Sequence, residues 1–173
     1  MPGTPGPPTN LLIATDNGES YLAFFGATPG PRKVYSFAGG GGYKDTFSYT
    51  SPGEPVRIVN SRNDDYLVVQ FDSNILDNYH VPDNSSFIFV GSSPQFDSLV
   101  AFCGMGSLSR YSVLGTKAGK KGIFVLLDTT ANLTEEKFMA LDYDGSSTAA
   151  NSIVYIEGLD LHAVRMADNI TYM

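Results

Sequence analysis

From residue 11 onward, apolar or alternating runs of about five residues recur roughly every ten positions, the spacing of short strands joined by turns. The runs are Leu11–Thr15, Tyr21–Phe25, Lys33–Phe37, Thr46–Thr50, Val56–Asn60, Tyr66–Phe71, Phe87–Gly91, Leu99–Cys103, Arg110–Leu114, Ile123–Leu127, Phe138–Tyr143, Ile153–Glu157 and Leu161–Met166. Turn formers stand between them, among them Asp16-Asn-Gly18, Pro29-Gly-Pro31, Ser51-Pro-Gly53 and Pro82-Asp-Asn84. The pattern predicts an all-β chain, an antiparallel sandwich or barrel of about a dozen short strands with at most one or two short helices. The best helical signal is Asn132-Leu-Thr-Glu135, which reads as a capping box opening a short helix toward Leu141. Phe138–Tyr143 also alternates as a strand would, so one helical turn leading into a strand satisfies both signals.

Two stretches echo each other. Tyr21-Leu-Ala-Phe-Phe-Gly26 followed by Lys33-Val-Tyr-Ser-Phe-Ala-Gly39 parallels Leu99-Val-Ala-Phe-Cys-Gly104 followed by Arg110-Tyr-Ser-Val-Leu-Gly115. Either strands drawn from a small alphabet resemble one another, or a β unit is duplicated with halves at 10–78 and 84–173. Residues 1–9 are rich in Pro and Gly and read as a flexible tether, leaving 10–173 as a single β domain.

Charge narrows the classes of partner. The 173 residues carry a net charge of −7 and only 17% charged residues, so the long-range field repels phosphate backbones and anionic lipid. The basic cluster Lys117-Ala-Gly-Lys-Lys121 is short and lacks interleaved aromatics, which argues against nucleic acid as a partner. No apolar run has the length of a spanning helix, so no membrane insertion is expected. No basic-then-apolar signal architecture opens the chain. The single cysteine, Cys103, cannot form an intrachain disulfide and reads as a small core residue.

The strongest chemical motif is Gly104-Met-Gly106-Ser-Leu-Ser109, which follows a strand and precedes another ending in Asp128, where a ribose-binding acid would stand. Against this reading, the intervening segment carries Gly115, Gly119 and Gly122 and makes a poor helix. The echoed stretch also has a proline-bearing turn in the equivalent place. A strand-turn-strand therefore fits better than a phosphate cradle. His80 reads as a loop residue and His162 as a strand residue facing solvent, neither at metal-ligand spacing. Asp142-Tyr-Asp144-Gly145 resembles the opening of a calcium loop without its downstream acid.

These readings converge on a non-enzymatic recognition, attachment or assembly module displayed on a larger particle or protein. A projecting domain of a viral capsid or fibre, on the virion surface, and a lectin-like binding domain both fit this expectation. No cofactor or metal is expected. The expected partner is a glycan or protein receptor, and exposed sheet edges offer a homodimer or higher oligomer. Binding is expected on loops, with Tyr43, Tyr79 and Asp77 as contact residues. The alternative is a small enzyme, either with a nucleotide loop at 104–109 or a glycoside hydrolase working through paired carboxylates.

Overall fold

The computed structural model describes residues 11–16, 20–25, 32–38, 43–49, 53–60, 66–80, 88–105, 110–129, 132–141, 150–166 and 170–172. The chain is all-β and antiparallel, as expected, and it divides into two compact units, Met1–Val90 and Gly91–Met173.

In the first unit, β1 (Leu11–Asp16), β2 (Ser20–Phe25), β3 (Arg32–Ala38) and β4 (Tyr43–Tyr49) form one four-stranded meander. A second follows from β5 (Pro55–Asn60), β6 (Tyr66–Phe71), β7 (Leu76–His80) and β8 (Ile88–Ser92), whose last residues cross the unit boundary. In the second unit, β9 (Ser98–Gly104), β10 (Arg110–Lys117), β11 (Lys120–Asp128) and β12 (Leu133–Ala140) form a third. The last sheet has three strands, β13 (Ser152–Ile156), β14 (Leu161–Arg165) and β15 (Ile170–Tyr172), with a 3-10 turn at Glu157–Leu159. Within each unit the first strands of the two meanders run close together, β1 near β5 and β9 near β13. The expectation of a sandwich or barrel becomes four separate meanders, none of which closes on itself among the described residues.

The local sequence accounts for these strands. Five consecutive residues of β10, Tyr111–Gly115, are buried, so this strand is covered on both faces. A strand covered on both faces reads as a continuous apolar run rather than an alternation. One face of the third sheet shares a core with the fourth through Ala101, Leu114, Ile123, Ile153, Val164 and Met166. On the other face Phe124 meets Phe96 with ring centroids 5.3 Å apart and Phe138 at 4.8 Å.

The capping-box helix does not form. Leu133–Ala140 is β12, and Asn132 belongs to the turn before it, where Thr129 N and Oγ1 both donate to the Asn132 carbonyl at 3.0 and 2.7 Å. Glu135, which would have closed the capping box, pairs across strands with Lys117 instead, and its neighbour Glu136 pairs with Arg110. The basic cluster is likewise a hairpin tip. Lys117 faces Lys120 across the two-residue turn Ala118–Gly119, with φ of 48° and 74°. Both turn positions demand a left-handed backbone, which suits Asn or Gly at the first position better than Ala. Ala118→Asn is therefore expected to stabilise the protein by about 0.5–1 kcal/mol, read as a higher urea midpoint with unchanged slope.

The echoed stretches occupy different places in their sheets. β2 is second in its meander whereas β9 is first. Ala23 pairs with Tyr35, but Ala101 pairs with Leu114 and Tyr111 with Gly104. The likeness is one of strand composition without a shared register.

Candidate functional site

Gly104 ends β9, and Met105 N donates to the Arg110 carbonyl at 2.9 Å, closing an antiparallel hairpin into β10. A dinucleotide loop needs a helix N-terminus to point its amides at the phosphates. Here the strand that ends in Gly104 pairs with another strand, β10. Residues 106–109 lie outside the described residues, but the strand from Arg110 leaves the loop no helix to open.

The residues expected to bind from loops sit in strands. Tyr43 opens β4. Asp77 and Tyr79 lie in β7, both buried, and the Tyr79 hydroxyl donates to Asp77 Oδ2 at 3.3 Å. Both point to the same side of β7, as residues two apart in a strand must. His80, expected in a loop, ends the same strand and stacks on Tyr66 with centroids 4.6 Å apart. Between Asp77 and Tyr79, Asn78 is buried with neither amide atom hydrogen-bonded. Asp72 is also used by the backbone, its Oδ1 accepting from Glu54 N at 2.8 Å. Asp142 and Asp144, from the stretch that resembles the opening of a calcium loop, lie outside the described residues. Among the described residues no three of His, Cys, Asp and Glu approach closely enough to hold a metal.

Among the described residues, one pair has the geometry of chemistry, and the sequence reading does not single it out. Ser112 in β10 and His162 in β14 are both buried, with Ser112 Oγ 2.6 Å from His162 Nε2. His162 was expected to face solvent; instead it points from the fourth sheet into the third. Tyr155 lies on the same face opposite His162, its ring centroid 5.1 Å from the imidazole, and its hydroxyl donates to Asp160 Oδ1 at 2.6 Å. Cys103 is half-buried beside Ser112, and burial pushes its thiol up to about 11, so it stays protonated near neutral pH. The signal that could have found the pair is strand parity. Two residues after each stands an apolar side chain of the covered face, Leu114 after Ser112 and Val164 after His162.

Burial lowers the pKa of His162, with Lys137 adding to the effect and Asp160 opposing it. A neutral imidazole protonated on Nδ1 accepts a hydrogen bond from the Ser112 hydroxyl. In the unfolded chain the imidazole takes up its proton near the ordinary value of 6.5, and in the folded protein only at lower pH. The unfolded state therefore binds more protons in that window. Stability is expected to be held above pH 6.5 and to fall as the pH drops below it, a fall that His162→Phe removes, read by urea titrations between pH 7.5 and 5.

A small cleft of about 190 Å³ opens beside β9 and β10 at Val100, Gly115, Thr116 and Lys121. It is below the several hundred Å³ usual for a small-molecule pocket. Larger features are on strand edges. In β8, Ile88 and Phe89 are 51% and 55% exposed at consecutive positions, with Phe89 edge-on to Tyr79. β12, fourth strand of its own meander as β8 is of its meander, instead exposes Thr134, Glu135, Glu136 and Lys137.

No protein-family model and no curated protein sequence matches this chain. Solved structures do resemble it. The β-propeller domain of Cps50 (Swd1) from Myceliophteria thermophila superposes with a TM-score of 0.65 at 13% identity, over 94% of this chain and 52% of that one. A protein from Desulfotomaculum acetoxidans, described as functionally unknown, gives 0.66 at 13% identity over 92% and 50%. The chain thus spans about half the length of the structures it resembles. At this identity the likeness is one of fold: antiparallel meanders whose first strands meet within each unit resemble the four-stranded blades of a propeller.

Proposed function

We propose that the chain is a non-catalytic recognition module built of propeller-type blades, which takes an extended apolar segment of a protein partner along the edge of β8. The observation that carries this is the contrast between two strands in the same position. A sheet edge presents unpaired backbone groups, and proteins guard such edges with charge. β12 follows that rule with Glu135, Glu136 and Lys137. β8, Ile-Phe-Val-Gly-Ser, has no charge and exposes its two largest apolar side chains. Adding a peptide strand to such an edge gains main-chain hydrogen bonds, while apolar side chains give specificity. A strand edge favours a protein over a glycan, since the chain has no tryptophan to form a stacking platform.

Polar side chains inside the sheets support the same reading. Asp77 holds Tyr79, Ser112 holds His162, and the Cys103 thiol is kept protonated. The test is selection of peptides from a random display library on the folded protein, followed by titration against Phe89→Lys. The reading predicts enrichment of apolar segments whose binding is lost in the variant. Failure to enrich any peptide, or equal binding to the variant, contradicts it.

A further inference from the structure

Within the second unit the fourth sheet docks on the third through a buried seam. Ala101, Leu114 and Ile123 of the third sheet meet Ile153, Val164 and Met166 of the fourth. His162 is buried in the same seam, with Ser112 Oγ across from it at 2.6 Å. A neutral imidazole suits that place, whereas an imidazolium there is a charge taken out of water and packed on apolar side chains. The groups around it offer that charge little. Cys103 of β9 is a protonated thiol, and Tyr155 of β13 donates its hydroxyl to Asp160. Of the charged groups that act on His162, Asp160 in the turn before β14 favours the imidazolium and Lys137 of β12 opposes it.

We propose that His162 is an acid-operated latch, whose protonation releases the fourth sheet from the third while the third sheet stays folded. The imidazole stands on the fourth sheet and its hydrogen-bond partner on the third, so the charge regains water when the two part. The fourth sheet has three strands where the third has four, and its other face holds Val154 at 45% exposure. The third sheet keeps a second core on its far face, where Phe96, Phe124 and Phe138 meet. An element with less buried surface opens at a smaller free energy than the whole. Parted sheets hold an imidazole of the ordinary pKa, 6.5, and docked sheets one whose pKa burial lowers, so acid favours parting. The acid sensitivity of the folded protein then resides in one interface rather than in global unfolding.

Cys103 reports the parting. It is the single cysteine, half-buried, and its sulfur is within hydrogen-bond reach of the backbone of Ser112 in the third sheet and of Tyr155 in the fourth. The test is the rate at which 4,4′-dithiodipyridine modifies Cys103 in the full chain between pH 7.5 and 5.5, divided by the rate for the urea-unfolded chain at the same pH. That ratio removes the titration of the exposed thiol and leaves the fraction of opened molecules. The expected result is a severalfold rise, with a ceiling of about tenfold, as the pH falls. The circular dichroism spectrum stays unchanged, and the rise is insensitive to dilute urea because a local opening exposes little surface. His162→Phe and His162→Gln are each expected to give a flat ratio. A constant ratio in the unaltered chain, a rise that persists in either variant, or a rise as steep in urea as global unfolding each overturns the proposal.

Discussion

Phe124→Ala is expected to lower the unfolding free energy by about 3–5 kcal/mol, the range for truncating a buried aromatic. The side chain is 1% exposed at the centre of β11, between Phe96 on one side and Phe138 on the other. Three rings in edge and tilted contact leave no single neighbour able to swing into the vacated volume. The cavity should persist, and its cost adds to the lost burial. Against total stabilities of about 5–15 kcal/mol the loss is large enough to leave the variant partly unfolded at 37 °C. Urea denaturation followed by fluorescence of the ten tyrosines reads it directly.

Gly122→Val is expected to cost about 3 kcal/mol for the opposite reason, an atom too many. A Cβ built on Gly122 would stand 2.1 Å from the Met139 carbonyl oxygen and 3.0 Å from Leu141 N. Both contacts are backbone, so no side-chain rotation relieves them. The partner opposite, Gly115, is just as confined, its Cβ falling 2.3 Å from the Ser98 carbonyl oxygen. This glycine pair lets β9, β10, β11 and the end of β12 approach closely. Gly119→Ala tests the alternative that any added methyl near this hairpin is costly. That position has no heavy atom within 4 Å of its Cβ, so only its positive φ resists, at about 1 kcal/mol.

The strands were legible in the sequence because each run of about five apolar residues ends in residues that favour turns. How the strands group into sheets was not. The connection from β8 to β9 and the hairpin from β9 to β10 are both five residues long, 93–97 and 105–109, yet the first crosses between sheets and the second stays within one. Loop length therefore carried no mark of where a sheet ends, and a sandwich, a barrel and a row of meanders gave the same spacing.

β12 was misread because Asn132 and Glu135 satisfy a local capping pattern, while the ion pairs to Arg110 and Lys117 that hold the strand come from residues distant in sequence. Asp77 and Tyr79 looked like loop residues because Leu-Asp-Asn-Tyr-His is polar for a covered strand; the polar atoms of that pair satisfy each other inside it. The glycine motif at 104–109 spells a dinucleotide loop, but β9 and β10 on either side of it pair as antiparallel strands. Ser112 and His162 lie fifty residues apart and meet only because two sheets pack face to face.

That pair also gives the sharpest test of a non-catalytic account. A serine whose hydroxyl lies 2.6 Å from an imidazole has the first contact of a nucleophilic dyad. In a working dyad the serine must be reachable by substrate and the imidazole held by a third group; here both side chains are within 5% exposure and bridge two sheets. The direct measurement is mass spectrometry of the native protein after incubation with a fluorophosphonate at pH 8. The account predicts no adduct on the peptide containing Ser112, while His162→Phe alters stability alone. A stoichiometric adduct on Ser112 that disappears in His162→Phe would contradict it.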